Sequence, residues 1–488
     1  MILLFGLLII YLSDRSQNSQ TIKRNYPLVG RFRYFFEEIG VFFRQYFFAN
    51  DREEMPFNRA DRSWVYRAAK QESTLQAFGS TRQQREGDVL FLNSIFPNND
   101  QAENPLLVFG PHTPNPYSTD RVFHISGMSY GAISKPAIKA LVGGARKAGI
   151  WINTGEGGAS QEHLEGGADV VFQIGTAKYG VRHLDGSLDE AKLKSVAENH
   201  HVRMFEIKLS QGAKPGKGGI LPADKVTSEI AKQRGIPEGE ASISPPSHAK
   251  ITSFESLFEF VHRIRAITQK PVGIKMCVGD IDEFRSMLSS LIGKATLESS
   301  FENNDESRQL RFNKVIADYA PDFITLDGGN GGTGAAPMSL IDAAGMHLPQ
   351  SLPKVANVLK DLNLKDRIKL VCSGKLITPI DVAWALCAGA DAVTTARGFM
   401  FSLGCIQALH CHKNTCPTGI TTQDTRLQNG LVSSNKEKRV AAYAQEMHKE
   451  LETIARSCGV SSPTLLSRRN AMIYINNQQA QPMSEAYK

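Results

Sequence analysis

Residues 404–420 read G-C-I-Q-A-L-H-C-H-K-N-T-C-P-T-G-I and gather three of the chain's seven cysteines, Cys405, Cys411 and Cys416. Thiolates grouped this closely bind metal. A zinc site shows paired C-x2-4-C knuckles and a fourth ligand. Here the cysteines are spaced C-x5-C-x4-C with no fourth cysteine nearby, although His410 and His412 flank Cys411. Three thiolates ending in Cys-Pro fit iron–sulfur ligation instead, and three ligands suit a cluster of three irons. The plainer alternative is three cysteines packed as small apolar side chains.

A second set of chemical residues falls at the ends of short β-prone runs: Ser126, Asn153, Glu156, Gln173, Lys208, Lys275, Asp327, Ser373 and Arg397. Two late turns, D-G-G-N-G-G-T-G-A (327–335) and C-S-G-K (372–375), are rich in glycine. Their exposed backbone N–H groups suit a phosphate, and so a phosphorylated cofactor. Lys275 or Lys208, each inside an apolar run, is costly to bury without an anion. A cation there would stabilise a reduced flavin ring, while Gln173 and Asn153 could bond its pyrimidine end. A barrel-lining or snorkelling lysine is the alternative.

The elements that must position these residues alternate. Eight β-prone runs lie at 122–127, 149–155, 171–176, 204–210, 272–277, 323–328, 369–375 and 392–397. Helix-patterned stretches stand between them, among them 135–148, 254–267 and 379–389. Strand alternating with helix implies a parallel sheet. Eight repeats fit an α/β fold of the (β/α)8 barrel type, whose chemistry sits at the strand ends. An open doubly wound sheet would carry G-x-G-x-x-G after its first strand, and Ser126-Gly127 starts no such motif. The polar stretch 299–309 reads as a solvated interruption of the helix before the sixth strand.

The flanks divide the chain into 1–50, a membrane-anchor or amphipathic segment; 51–119, a connecting arm; 120–430, the barrel with its cysteine loop; and 431–488, a helix and tail. The first twelve residues are all apolar, short of the ~20 that span a bilayer. Arg15, Lys23, Arg24, Arg31 and Arg33 follow, which by the positive-inside tendency places that side on the cytoplasmic face of a membrane. In 32–47 the aromatic positions recur at helical spacing, as a core stripe or an interfacial helix. After Leu466 the chain turns polar and is expected to fray. A net charge of +7 with no basic block interleaved with aromatics argues against nucleic acid. Seven scattered and clustered cysteines do not form a disulfide framework, which indicates a reducing compartment.

The cysteine run, extended to T-T-Q at 421–423, resembles the cluster loop of the glutamate synthase large subunit. The resemblance continues, in the same order, through H-I-S-G-M-S-Y-G-A-I-S (124–134), N-T-G-E-G-G (153–158), E-I-K-L-S-Q-G-A-K-P-G-K-G-G (206–219), I-S-P-P-S-H (243–248) and D-G-G-N-G-G-T-G-A-A-P (327–337). It implies FMN beside a 3Fe-4S cluster held by Cys405, Cys411 and Cys416. FMN would lie across Ser126, Gly127, Met128, Gln173 and Lys275, with its phosphate near Gly331, Gly332, Ser373, Gly374 and Arg397. Glu156, Lys214 and Arg234 would meet 2-oxoglutarate, with Glu156, Lys214 and Lys275 as the catalytic groups. Glutamate synthases place a substrate-contacting glutamine after the Gly-Gly pair, whereas this chain has Ile220.

No glutaminase domain or nicotinamide motif is expected in this chain. The implied activity is reductive amination of a 2-oxo acid by free ammonia or an amine, with electrons from a separate ferredoxin-like or NADPH-dependent donor. Two alternatives stay open: an FMN amine enzyme such as an N-methylglutamate synthase, and a membrane-tethered redox partner without turnover.

Overall fold

The computed structural model describes residues 1–98 and 105–488 and divides into two units, Met1–Ser63 and Trp64–Lys488. Residues 99–104 of the expected arm lie outside the described residues.

In the larger unit eight parallel strands close into a barrel: β1 (Phe123–Ile125), β2 (Ile152–Asn153), β3 (Val170–Ile174), β4 (Val202–Lys208), β5 (Val272–Met276), β6 (Phe323–Asp327), β7 (Lys369–Ser373) and β8 (Ala392–Thr395). The fold is the expected (β/α)8 barrel, and every strand boundary lies within three residues of its run in the sequence. Several crossover helices begin at a side-chain cap. Lys135–Ala148, for example, begins where the Ser134 hydroxyl accepts from Ala137 N–H at 3.3 Å, and it ends at Gly149 with a left-handed φ of 66°.

Strand periodicity sorts the barrel interior into layers, because residues two apart share a face. In β4, Met204, Glu206 and Lys208 rise in turn from floor to mouth; Val171 and Gln173 do so in β3, and Phe323, Thr325 and Asp327 in β6. The pairings Val171↔Met204 and Gln173↔Glu206 keep the layers level. The floor layer is apolar: Trp151, Val171, Met204, Phe323, Val371 and Ala392.

Two expectations need correction. Part of the arm closes the barrel floor: Leu107–Phe109 and Tyr117–Thr119 form a hairpin, and Phe109 packs edge-on against Trp151 and Phe323. The tail does not fray. Ala471–Tyr474 pairs with Val89–Phe91 and with Ala480–Pro482, Met483 is buried, and the Trp384 indole N–H donates to the Tyr487 hydroxyl at 3.0 Å. The interruption near 299–309 is the turn between two helices, Ile281–Ser299 and Asp305–Tyr319.

The smaller unit begins with the helix Ile2–Ser16. At 1.5 Å per residue its 15 residues reach about 22 Å, against a bilayer core of about 30 Å. Among the described residues no helix is long and apolar enough to cross a membrane, so the expectation of a spanning anchor finds no support. The buried Asp14 carboxylate accepts from Leu28 N–H and Arg31 Nε and ties this helix to Gly30–Phe43.

Candidate active site

The C-terminal ends of the strands surround a cavity of about 1290 Å³, open to solvent. Seven cationic side chains line it against two carboxylates, Glu156 and Asp327. A site with that imbalance is built for an anionic ligand.

On one side the strand ends form a polar seat. Gly127 follows β1, and a Cβ there would stand 2.8 Å from Asn153 Oδ1, so only glycine leaves the backbone open to a ligand. Ser126, Met128 and Gln173 line the same wall. Beneath it Glu206, which sequence reasoning missed, is 2 % exposed. Its Oε1 accepts from Asn153 Nδ2 at 2.8 Å and Gln173 Nε2 at 2.6 Å, and its Oε2 from Thr325 Oγ1 at 2.6 Å. A carboxylate only accepts, so both amides turn their nitrogens inward. Lys275 Nζ lies 3.5 Å from Asp327 Oδ2. Burial pulls the lysine's pKa down, but Asp327, Glu206 and Glu156 outweigh it and hold the group above its ordinary value.

Beyond this seat, Gly332, Ser373 and Gly374 line the cavity, whereas Gly331 turns its N–H onto Gly328 O at 2.8 Å. Arg397 starts the helix that follows β8. Its guanidinium donates to Thr333 O and lies 3.5 Å from Cys411 Sγ. It therefore joins the glycine turn to the cysteine loop.

The opposite wall carries Lys208, Lys214, Glu156 and Arg234. Lys208 Nζ stands 3.2 Å from Glu156 Oε2 and donates to Gln211 Oε1 at 2.6 Å. Burial raises the Glu156 pKa, but Lys208, Lys214 and Arg234 reverse this and keep it below the usual carboxylate range. Lys214 is shifted down, by burial and then by Lys208, with Glu156 opposing. The structure gives Arg234 a different emphasis from the sequence. Its two terminal nitrogens donate to Ser242 Oγ (3.0 Å) and Tyr130 O (2.9 Å), which leaves a supporting cation behind Glu156. Ile220 lines the mouth, 42 % exposed, and pairs with the exposed Ile243 in a short hairpin.

The three cysteines are free thiols. Cys411 lines the cavity, while Cys405 and Cys416 stand behind it, and all three lie within the electrostatic reach of Arg397. Burial pushes the Cys405 thiol up to about 11. For Cys416 burial acts the same way, but hydrogen bonds to Thr418 and Thr421 outweigh it and bring the thiol below its ordinary value. Among the described residues no three His, Cys, Asp or Glu side chains close on one point that a single ion could occupy. Ligands to a cluster stand further apart than ligands to one ion, because separate irons lie between them. The donor set, three thiols beside buried cations, therefore fits an anionic thiolate-ligated cluster better than zinc.

Fold and site together define a (β/α)8 barrel enzyme with a cation-lined mouth. A family model described as a conserved region in glutamate synthase matches residues 66–297 and 302–461, which hold every cavity residue named above. The chain belongs to the glutamate synthase family of oxidoreductases. It is 35% identical to the glutamate synthase large subunit-like protein YerD of Bacillus subtilis, over 95% of this chain and 91% of that one. It is 30% identical to the archaeal glutamate synthase [NADPH] of Methanocaldococcus jannaschii over 70% of this chain and 60% of that one. It therefore spans nearly all of the first relative and under two thirds of the second.

Proposed function

We propose that this chain binds FMN and a 3Fe-4S cluster and reductively aminates 2-oxoglutarate with ammonia, on electrons from a separate ferredoxin-like or NADPH-dependent donor. The observation that carries this reading is one cavity lined at once by Gln173 and Lys275, by Glu156 and Lys214, and by Cys411. Each ammonium incorporated consumes two electrons and two protons and releases one water. FMN, when bound, supplies hydride chemistry, and the cluster supplies single electrons. Ser126, Gly127, Met128 and Gln173 would seat the ring, with Gly332, Ser373, Gly374 and Arg397 around the phosphate. Lys275 would hold positive charge toward the ring, and Glu156, kept ionised by Lys208, Lys214 and Arg234, would accept a proton at the substrate wall.

Lys208 and Lys214 offer charge-assisted hydrogen bonds to a dicarboxylate. Lys214→Met is expected to raise KM for 2-oxoglutarate by about ten- to a hundredfold, the loss of one such bond, with a smaller change in kcat. Steady-state kinetics at saturating ammonia check this.

Ile220 favours a second reading. Its apolar side chain at the mouth, beside exposed Ile243, suits the methyl group of methylamine, as an N-methylglutamate synthase would require. The deciding experiment is anaerobic purification, a visible spectrum with iron and sulfide assays, then turnover of 2-oxoglutarate with ammonia or methylamine. Turnover with ammonia supports the first reading, and turnover with methylamine alone supports the second. Silence with an intact flavin spectrum leaves a redox partner, and a colourless protein without sulfide overturns all three.

The smaller unit adds a lipid contact to this reading. Ile2, Leu3, Leu4, Phe5 and Leu8 are more than half exposed, as are Phe32, Phe35 and Phe36 on the helix Gly30–Phe43. Basic residues Arg15, Lys23, Arg24 and Arg33 accompany them. Such a surface suits the interface of an anionic membrane on its cytoplasmic face. The full chain should co-sediment with vesicles containing phosphatidylglycerol, and Leu8→Asp with Phe36→Asp should weaken binding at least about tenfold. Unchanged sedimentation, or self-association without lipid, removes the membrane from this reading.

A further inference from the structure

Lys225 is 1 % exposed, yet among the described residues its ammonium meets no carboxylate as a hydrogen-bond partner. Nζ donates to Cys411 O and Thr421 O, each at 2.6 Å. Burial pulls its pKa down, and Cys411, then Asp224 and Cys416, oppose that shift without cancelling it. Two other buried lysines of the cavity differ, since Lys208 has Glu156 and Lys275 has Asp327. Arg397, which reaches the same thiols, also donates to a carbonyl and a sulfur rather than to a carboxylate. The cysteine side of the cavity therefore carries two buried cations whose hydrogen bonds, among the described residues, go to carbonyls and sulfur rather than to carboxylates. A buried charge is tolerated only when something anionic stands beside it.

We infer that Lys225 is the built-in counter-charge of the three-thiol centre: it holds the cysteine loop through two carbonyls and sets the centre's reduction potential. This rests on the cluster reading above. Reduction adds one electron to an already anionic centre, and no atom moves to or from Lys225. A fixed positive charge nearby favours the more negative, reduced form and so raises the potential. Lys225 also ends the short turn Ala223–Lys225, directly after the Ile220–Leu221 strand at the substrate mouth. One side chain thus ties the substrate wall to the cysteine loop.

The test uses the full chain, purified anaerobically, with Lys225→Gln and Lys225→Arg beside the unaltered protein. Glutamine keeps a neutral N–H donor for the carbonyls, and arginine keeps the charge. Iron and sulfide are counted, and the potential is read by redox titration followed by electron paramagnetic resonance. The expected result is a full centre with a more negative potential in K225Q and a potential near that of the unaltered protein in K225R. Loss of the centre from K225Q but not from K225R supports the same role. An unshifted potential in an iron-replete K225Q overturns the inference and leaves the cluster reading standing. Loss of the centre from both variants assigns Lys225 to packing and overturns it too. Absence of iron and sulfide from the unaltered protein overturns the cluster reading itself.

Discussion

Asp322→Ala is expected to destabilise the barrel by about 3–5 kcal/mol, the cost of stripping a partner from buried charges. Asp322 is fully buried at the start of β6. One carboxylate oxygen accepts from Arg265 Nη2 at 2.9 Å and from Val272 N–H at 2.8 Å, and the other from Arg367 Nη1 at 3.0 Å. Both guanidinium groups are themselves nearly buried, with side-chain exposures of 10% and 12%. Alanine would leave two enclosed cations and a strand-end N–H without their acceptor. Arg265 still reaches Ala320 O, so part of the network survives. Asp322→Asn keeps an acceptor for Val272 and loses the charge, and its loss should fall between zero and that of alanine. Urea unfolding of the cofactor-free protein measures both. A loss under about 1 kcal/mol for alanine, the scale of an exposed ion pair, would show that water satisfies these arginines. The site is affected as well, because Val272 and Asp322 fix the lower ends of the two strands whose upper ends carry Lys275 and Asp327.

How much of this was legible in the sequence depended on whether the signal was local. The eight strands were, because each is a short β-prone run and most are stopped by Gly, Ser, Thr or a charged residue, with the chemical residues at or near those stops. Lys275 and Lys208 stood out as charges in apolar runs. Glu206 carried the same signal two residues before Lys208. Period-two alternation places both on the interior face, so it could have been found. Arg234 was legible only as a cation. That Ser242 and Tyr130 occupy its nitrogens is a tertiary fact that spacing does not encode. The floor hairpin and the C-terminal strands were obscured for another reason. Their runs are three or four residues long in polar surroundings, and their partners lie far away in sequence, as Val89–Phe91 does from Ala471–Tyr474. Pairing of that kind follows from burial rather than from local propensity.

Glu206→Ala is the second large effect, and it concerns the flavin seat. Removing this carboxylate leaves the Asn153 amide, the Gln173 amide and the Thr325 hydroxyl without their shared acceptor. Each buried donor left unpaired costs about 1–3 kcal/mol, so the group costs upwards of 3 kcal/mol. The amides would then be free to turn over. In the intact protein their nitrogens point at Glu206, which presents the Gln173 carbonyl oxygen to the cavity as an acceptor for a ring N–H. A flipped Gln173 would meet that N–H donor to donor. Lys275 would at the same time lose one of the three acids that hold its charge. The expected outcome is a fall in FMN affinity of at least about a hundredfold, the equivalent of roughly 2.8 kcal/mol. Fluorescence titration of the flavin-free protein measures it. Glu206→Gln separates the two contributions. Its carbonyl can serve both amides, which share one oxygen of Glu206, but its NH2 turns a donor toward the Thr325 hydroxyl and the charge near Lys275 is lost, so it should recover only part of the affinity and shift the flavin absorption. A Glu206→Ala protein that holds FMN at full affinity with an unshifted spectrum would show that the ring is seated elsewhere in the cavity.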